Sequence, residues 1–228
     1  MNIGVFGATG TIGRSVVAEA VSRGHRVMAF TRDASRIPVD TGSVTWTVAN
    51  VLDAQNVGQA IDGLDVVINA INTGKDLPDM IANAVALPAA ARSLLKALEQ
   101  HLSTRLIVVG GGASLEVQPG LQAMDVDGFA EQLPEMLGVP SEYFTVMLAH
   151  RDALNLYRLS NRNWTYLSPS AGQIASGQRT GRFRIGDDQL LVAGDGTIGD
   201  MSAEDVAVAV IDEAEMPRHV QRRFTVGY

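Results

Sequence analysis

The chain has 228 residues and a formal net charge of −7, so nucleic acid is not expected as its main partner. It has no cysteine, which excludes disulfides, thiolate nucleophiles and cysteine-bound metals. No apolar run reaches the roughly 20 residues of a membrane helix. The N-terminus enters a strand by residue 3, so no signal peptide or membrane partner is expected, only a cytoplasmic monomer or homodimer acting on a small molecule.

The first apolar run, residues 2–6, breaks into three glycines at three-residue spacing: Gly7, Gly10 and Gly13. An amphipathic segment over 11–23 follows at once. A strand, a glycine turn and a helix start, in that order, predict a dinucleotide phosphate site. Gly7 permits the tight turn, Gly10 clears the approach of pyrophosphate, and Gly13 lets the helix pack close to the sheet. The free N–H groups of the first helical turn then face the phosphates, aided by the helix dipole.

The second strand is predicted over 26–31. Residues 27–31 contain no acid to hold ribose hydroxyls. Arg32 follows, with Arg36 four residues later. A guanidinium there can pair with a 2′-phosphate, which favours NADP(H) over NAD(H). The alternative leaves Arg32 solvated and gives the ribose to Asp33.

Further strands are predicted near 43–48, 65–70, 105–110, 164–168 and 223–227, and helices near 54–62, 77–101, 140–161 and 202–215. Asp53 suits a helix N-cap, and Ser202 with Asp205 suits another. Buried-looking strands alternating with helices predict an α/β fold, a doubly wound parallel sheet covered on both faces. Two glycine-containing regions, 111–139 and 169–201, break the alternation. They are expected to form a small substrate-side lobe within a single domain spanning 1–228; surface elaboration is the alternative. Arg179, Arg182 and Arg184 lie in the second region, where they could receive an acidic substrate or stay solvated. His25, His101, His150 and His219 are scattered without ligand spacing, so no metal site is expected.

Gly-Ala-Thr-Gly-Thr-Ile-Gly at 7–13, Thr-Arg at 31–32, Val-Leu-Asp at 51–53 and Asn-Ala-Ile at 69–71 resemble the atypical short-chain dehydrogenase/reductases. The stretches 163–170, 177–184 and 222–228 resemble the group named NAD(P)H-flavin reductases by similarity, which overlaps the biliverdin reductase B-like and NmrA-like groups. The resemblance covers essentially the whole chain and implies a Rossmann fold. It also implies that Gly7, Ala8, Thr9, Gly10, Thr11, Ile12 and Gly13 hold pyrophosphate and that Arg32 meets the adenosine phosphate. Asn50 and Val51 would flank adenine, although many relatives carry aspartate in place of Asn50. Ala70 and Ile71 would line the path to the nicotinamide ribose. Gly110 through Ser114 would lie beside the nicotinamide, and Pro169 with Ser170 would close its pocket.

Ordinary members of the wider family use a Tyr-x-x-x-Lys pair, in which lysine lowers the tyrosine pKa. Here Tyr143 is followed four residues on by Met147, and only two lysines exist, Lys75 and Lys96. Alcohol–ketone chemistry loses ground. An NADPH-dependent reductase that positions a flavin-like, quinone or other conjugated acceptor gains it. Ser114, Tyr143 and His150 are the candidate catalytic side chains; each also has a structural alternative, as a turn serine, a packed aromatic and a helix-surface histidine. The competing functions are a catalytically silent NADP-binding sensor and a nucleotide-sugar epimerase or dehydratase.

Overall fold

A computed structural model describes residues 1–228. Its central sheet has eight strands, and all but one run parallel. In chain order the main elements begin β1 (Asn2–Phe6), α1 (Thr11–Ser22), β2 (Arg26–Thr31), β3 (Thr45–Val48), α2 (Ala54–Ala60) and β4 (Val66–Asn69). Next come α3 (Leu77–Ala82), α4 (Ala86–Ala97), β5 (Arg105–Val109), β6 (Glu116–Gln118), β7 (Leu121–Gln122) and α5 (Phe129–Leu137). The chain then forms α6 (Phe144–Arg158), β8 (Trp164–Pro169), β9 (Ile174–Ala175), β10 (Arg184–Gly186), β11 (Met201–Ser202), α7 (Ala203–Glu215) and β12 (Arg222–Gly227). The strand order is β10-β12-β8-β5-β4-β1-β2-β3, with β10 antiparallel at the edge. Order reverses at β1 and β4, so the crevice at their carboxyl ends is the expected ligand position for an open α/β sheet.

Both sheet faces are covered, which explains the continuous apolar runs of β4 and β5. On one face, α1 and α7 bring Val16, Ala20, Val206 and Val210 against Ile3, Val5 and Ile107. On the other, α2, α4 and α6 bring Val57, Leu94 and Leu154 against Phe6, Val67 and Leu106. Asp53 caps α2 through the Gln55 and Asn56 amides, and Ser202 caps α7 through the Asp205 amide, both as the sequence suggests.

Three expectations need correction. The helix predicted over 77–101 is two helices, α3 and α4, with a break at 83–85. Pro88 has no N–H to donate to the carbonyl of residue 84, which removes one of the bonds that would carry a single helix across the break. The helix predicted over 140–161 starts at Phe144, after a 3₁₀ turn at Ser141–Tyr143. The region 111–139 contains a helix, α5, masked in the sequence by Pro134 and by left-handed glycines at both ends, Gly128 and Gly138.

At the opposite end of the sheet from the crevice, Arg105 and Glu213 form a buried ion pair. Arg105 also donates to the Glu213 carbonyl at 2.7 Å and to Thr165 Oγ1 at 2.7 Å. Burial pushes the Glu213 carboxyl up. Donors from His219, Arg105 and the Arg218 amide outweigh burial and hold it below the usual carboxylate range. A carboxylate lowered in the native state stabilises the fold above its ordinary pKa, and that stability is lost as pH falls through the lowered native value. Glu213→Ala leaves Arg105 buried and unpaired, a loss expected to be about 3–5 kcal/mol at pH 7. Urea midpoints measured at pH 7 and near pH 3 check this. The gap from wild type should shrink at the lower pH, and a loss below about 1 kcal/mol at pH 7 would contradict the assignment.

Candidate dinucleotide and active site

The glycine loop lies at the switch point. Gly7 has φ +79°, and a β-carbon there would lie 2.3 Å from the Ala70 carbonyl oxygen and 2.8 Å from the Ile71 nitrogen. It therefore serves both the turn out of β1 and the close approach of the chain leaving β4. A β-carbon at Gly13 would sit 2.0 Å from the Gly7 carbonyl oxygen, so only glycine lets α1 start this close to the loop. Gly10 differs. Its φ is −81°, so no left-handed conformation demands glycine, and an added β-carbon would meet only the Gly7 carbonyl oxygen, at 3.2 Å.

Gly10 is the N-cap of α1 and has no side chain to cap it. Its own N–H is used by the Gly7 carbonyl at 2.9 Å, and its carbonyl accepts from Arg14 at 3.0 Å. The first-turn amides of Thr11, Ile12 and Gly13 lack helical partners by the geometry of a helix start. Ala8 is buried beneath the loop, while Thr9 and Thr11 reach its surface. An uncapped 12-residue helix with a side-chain-free approach fits a pyrophosphate group.

At the β2 end, Arg32 and Arg36 are both exposed, and Arg36 Nη2 reaches the Thr9 carbonyl at 3.4 Å. The alternative ribose ligand, Asp33, has one of its two carboxylate oxygens engaged. One Asp33 oxygen accepts from the Ser35 amide at 2.9 Å and from Ser35 Oγ at 2.7 Å, and these bonds hold its carboxyl below the usual range. Asn50 Oδ1 accepts from the Leu52 amide at 3.1 Å in an Asx turn, the Asn50 backbone N–H donates to Asn56 Oδ1 at 2.6 Å, and the side-chain Nδ2 has no protein partner. Val51 is half-buried beside it.

At the far end, three consecutive glycines leave β5, each facing a different neighbour. A β-carbon at Gly110 would lie 2.0 Å from Tyr166 Oη, at Gly111 3.1 Å from the His150 ring, and at Gly112 2.2 Å from the Pro169 carbonyl oxygen. The turn is thus wedged between α6 and the end of β8. The His150 imidazole packs on Gly111 and has no hydrogen-bond partner in the protein; burial pushes its pKa down to about 4. Tyr143 stands seven residues earlier, just before α6. Its hydroxyl also lacks a partner, and burial pushes it up with no cation to oppose the shift.

Ser114 is not where the sequence reading put it. Its side chain is turned inward and buried, and its Oγ accepts from Arg223 Nη1 at 3.0 Å. Ser170 is also engaged, accepting from the Leu191 amide at 2.9 Å and donating to the Leu191 carbonyl at 2.8 Å. Two of the three arginines read as possible substrate ligands are tied up as well. Arg179 chelates Glu19 through two 2.7 Å bonds, and Arg184 donates to the Val192 and Tyr228 carbonyls. Arg182 is exposed and makes no ion pair.

A glycine-lined helix start at the switch point of a doubly wound sheet defines a dinucleotide-binding Rossmann protein. The chain belongs to the NAD(P)H-binding family, whose model matches residues 7–217. It is 33% identical to the uncharacterized protein YwnB of Bacillus subtilis over 227 residues, 99% of this chain and 98% of YwnB. A structure from Burkholderia pseudomallei, provisionally named an exported protein, is 36% identical, with TM-score 0.83 and 100% of both chains covered. One from Bacteroides thetaiotaomicron, provisionally named an epimerase, is 30% identical, with TM-score 0.81 and 100% and 96% covered. One from Streptococcus pneumoniae, provisionally named an NADH-flavin reductase, is 28% identical, with TM-score 0.76 and 100% and 99% covered. No helix of the chain is long and apolar enough to cross a membrane.

Proposed function

We propose that this protein is an NADPH-dependent reductase whose hydride acceptor is a flavin-like, quinone or other conjugated small molecule. The observation that carries the reading is the pairing of a phosphate cradle with an unactivated tyrosine. Bound reduced nicotinamide supplies a hydride. The first turn of α1 holds pyrophosphate, Arg32 and Arg36 hold the 2′-phosphate, and the glycine turn after β5 walls the nicotinamide end. Asn50 and Val51 flank the adenine, and Ala70, Ile71 and Pro169 border the path between.

A tyrosine that must protonate an alkoxide needs a nearby cation to lower its pKa. Tyr143 has Met147 where the lysine of the ordinary pair would be, and burial raises its pKa instead. His150 is neutral at pH 7, so it can offer one N–H or accept one bond but carries no spare proton. A conjugated acceptor spreads the incoming charge and takes its proton from water. That chemistry matches these side chains better than epimerisation of a nucleotide sugar, which calls for an acid–base pair.

The test follows NADPH oxidation against a panel of flavins, quinones and enones. Tyr143→Phe should keep single-turnover rates within about threefold of wild type, because no acid role is lost. Loss of a true general acid would cost roughly 100- to 10,000-fold. A fall of more than about 100-fold with cofactor binding intact would restore acid catalysis by Tyr143. No turnover with any acceptor would favour a silent NADP-binding sensor.

A further inference from the structure

The two regions that interrupt the strand–helix alternation are stitched together at one place. The Glu116 amide donates to the Asp188 carbonyl at 2.8 Å, and the Leu190 amide donates to the Glu116 carbonyl at 2.9 Å. Arg223 of β12 sits beneath this seam with its side chain 1% exposed. Its Nη1 donates to the Ser114 carbonyl at 2.8 Å and to Ser114 Oγ at 3.0 Å. Its Nε donates to Asp188 Oδ1 at 2.7 Å, and its Nη2 lies 2.5 Å from the same oxygen and 3.4 Å from the Asp188 carbonyl. Asp188 also reaches Arg158 of α6, at 3.4 Å. One guanidinium therefore ties the residue that ends the glycine turn to β12 and, through Asp188, to α6.

The turn needs such a tie. Gly110, Gly111 and Gly112 have no side chains with which to anchor themselves, and glycine is the residue with the most backbone freedom to lose. Yet each lies against a different neighbour at a distance no β-carbon tolerates comfortably. From one side the turn is limited by Tyr166, His150 and Pro169. On the other side the Ala113 carbonyl accepts from the Met124 amide at 2.9 Å, and the side-chain anchor is at Ser114, gripped at both its carbonyl and its hydroxyl. Burying a guanidinium costs free energy that a merely structural apolar side chain would not; Asp188 offsets its charge by direct contact, with a smaller contribution from Glu116.

We infer that Arg223 is the positioning residue of the acceptor-side wall: it pins the Gly110–Ser114 turn through Ser114 and Asp188, and so sets the distance between nicotinamide and acceptor. Arg223 touches neither cofactor nor acceptor. Its consequence for turnover rests on the reductase reading above; the pinning of the turn does not. Hydride transfer requires the reacting atoms within about 3–3.5 Å, and a misplacement of 1 Å can cost roughly 100-fold. Pyrophosphate binding, at the α1 end of the crevice, does not depend on this turn.

The experiment compares wild type with Arg223→Met, Arg223→Lys and Asp188→Asn. Arg105→Met is the control: it removes another buried arginine, at the other end of β5. Amide hydrogen exchange is read at residues 110–115, NADPH affinity by fluorescence titration, and hydride transfer by single turnover with the best acceptor. Arg223→Met should raise exchange at 110–115 at least tenfold and slow hydride transfer at least tenfold, while NADPH Kd stays within threefold. Arg223→Lys, which can still bond Asp188, should recover part of both losses. Arg105→Met should lower stability while leaving exchange at 110–115 and the transfer rate within threefold of wild type. If Arg223→Met does not fold, Asp188→Asn decides, because Asp188 is 44% exposed and its loss opens no core. It should give the same split at three- to tenfold. Unchanged exchange at the turn in the folded variants overturns the inference, as does an equal rate loss in Arg105→Met. If wild type reduces no acceptor, the reductase reading fails, and exchange at the turn still decides whether Arg223 pins it.

Discussion

Gly10→Val is expected to abolish NADPH binding, raising Kd by more than about 100-fold, or roughly 3 kcal/mol, in a protein that stays folded. The backbone tolerates the change: φ at Gly10 is −81°, inside the range of any L-residue, and the only close neighbour of an added β-carbon is the Gly7 carbonyl oxygen at 3.2 Å. The valine methyls instead fill the space in front of the Thr11, Ile12 and Gly13 amides, where a phosphate must come within hydrogen-bond distance. A cofactor-dependent thermal shift, beside far-UV circular dichroism, separates the two effects. A folded Gly10→Val protein that still shifts with NADPH would remove the phosphate-site assignment. Gly13→Ala provides the contrast. Its β-carbon would lie 2.0 Å from the Gly7 carbonyl oxygen and 2.7 Å from the carbonyl carbon. Those atoms are backbone and cannot swing aside, so this variant should lose about 1–3 kcal/mol of stability as well as affinity.

The three glycines look equivalent in the sequence; the geometry bears directly on two of their three expected roles, and the third, at Gly10, is the one the valine variant tests. Gly7 does make the turn, and Gly13 does allow close packing. Seven of the eight main-sheet strands were readable, most of them because strands buried on both faces are nearly unbroken apolar runs. The eighth, the antiparallel edge strand β10, was not, because its three residues Arg184–Gly186 are largely exposed and carry no apolar run. The split of 77–101 was also within reach, since Pro88 marks it. What the sequence hid is long-range. Ser114 and Arg223 are 109 residues apart, and Arg223 and Asp188 are 35 apart. No local period links them, so Ser114 read as a free turn hydroxyl. The engagement of Arg179 was hidden for the same reason: the carboxylate of Glu19 that claims it lies 160 residues away, in α1. The neutral state of His150 was equally invisible, because it comes from the glycine turn packed over the ring.

The second large effect is expected at the adenosine end. Wild type should bind NADPH at least about tenfold more tightly than NADH, and the Arg32→Ala, Arg36→Ala double variant should erase the difference by weakening NADPH alone. Arg32 follows directly on β2 and is exposed, and Arg36 leans back to within 3.4 Å of the Thr9 carbonyl, at the phosphate loop. A 2′-phosphate brings the negative charge that these exposed guanidinium groups can meet; a ribose hydroxyl does not. Each single variant should lose part of the preference, and because both sites are open to solvent, raising salt from about 50 to 300 mM should narrow it further. Asp33 separates this account from its competitor. Its carboxylate oxygen is already shared by the Ser35 amide and hydroxyl, where it caps the short turn at Ala34–Arg36. Asp33→Asn should therefore leave NADH affinity within about threefold, since a lost ribose bond to a charged group would cost more. Calorimetric titration of both cofactors into all five proteins decides the matter. Equal affinities in wild type, or a preference that survives the double substitution, would sink the role of Arg32 and Arg36. A fall in NADH affinity with Asp33→Asn would return the ribose to Asp33.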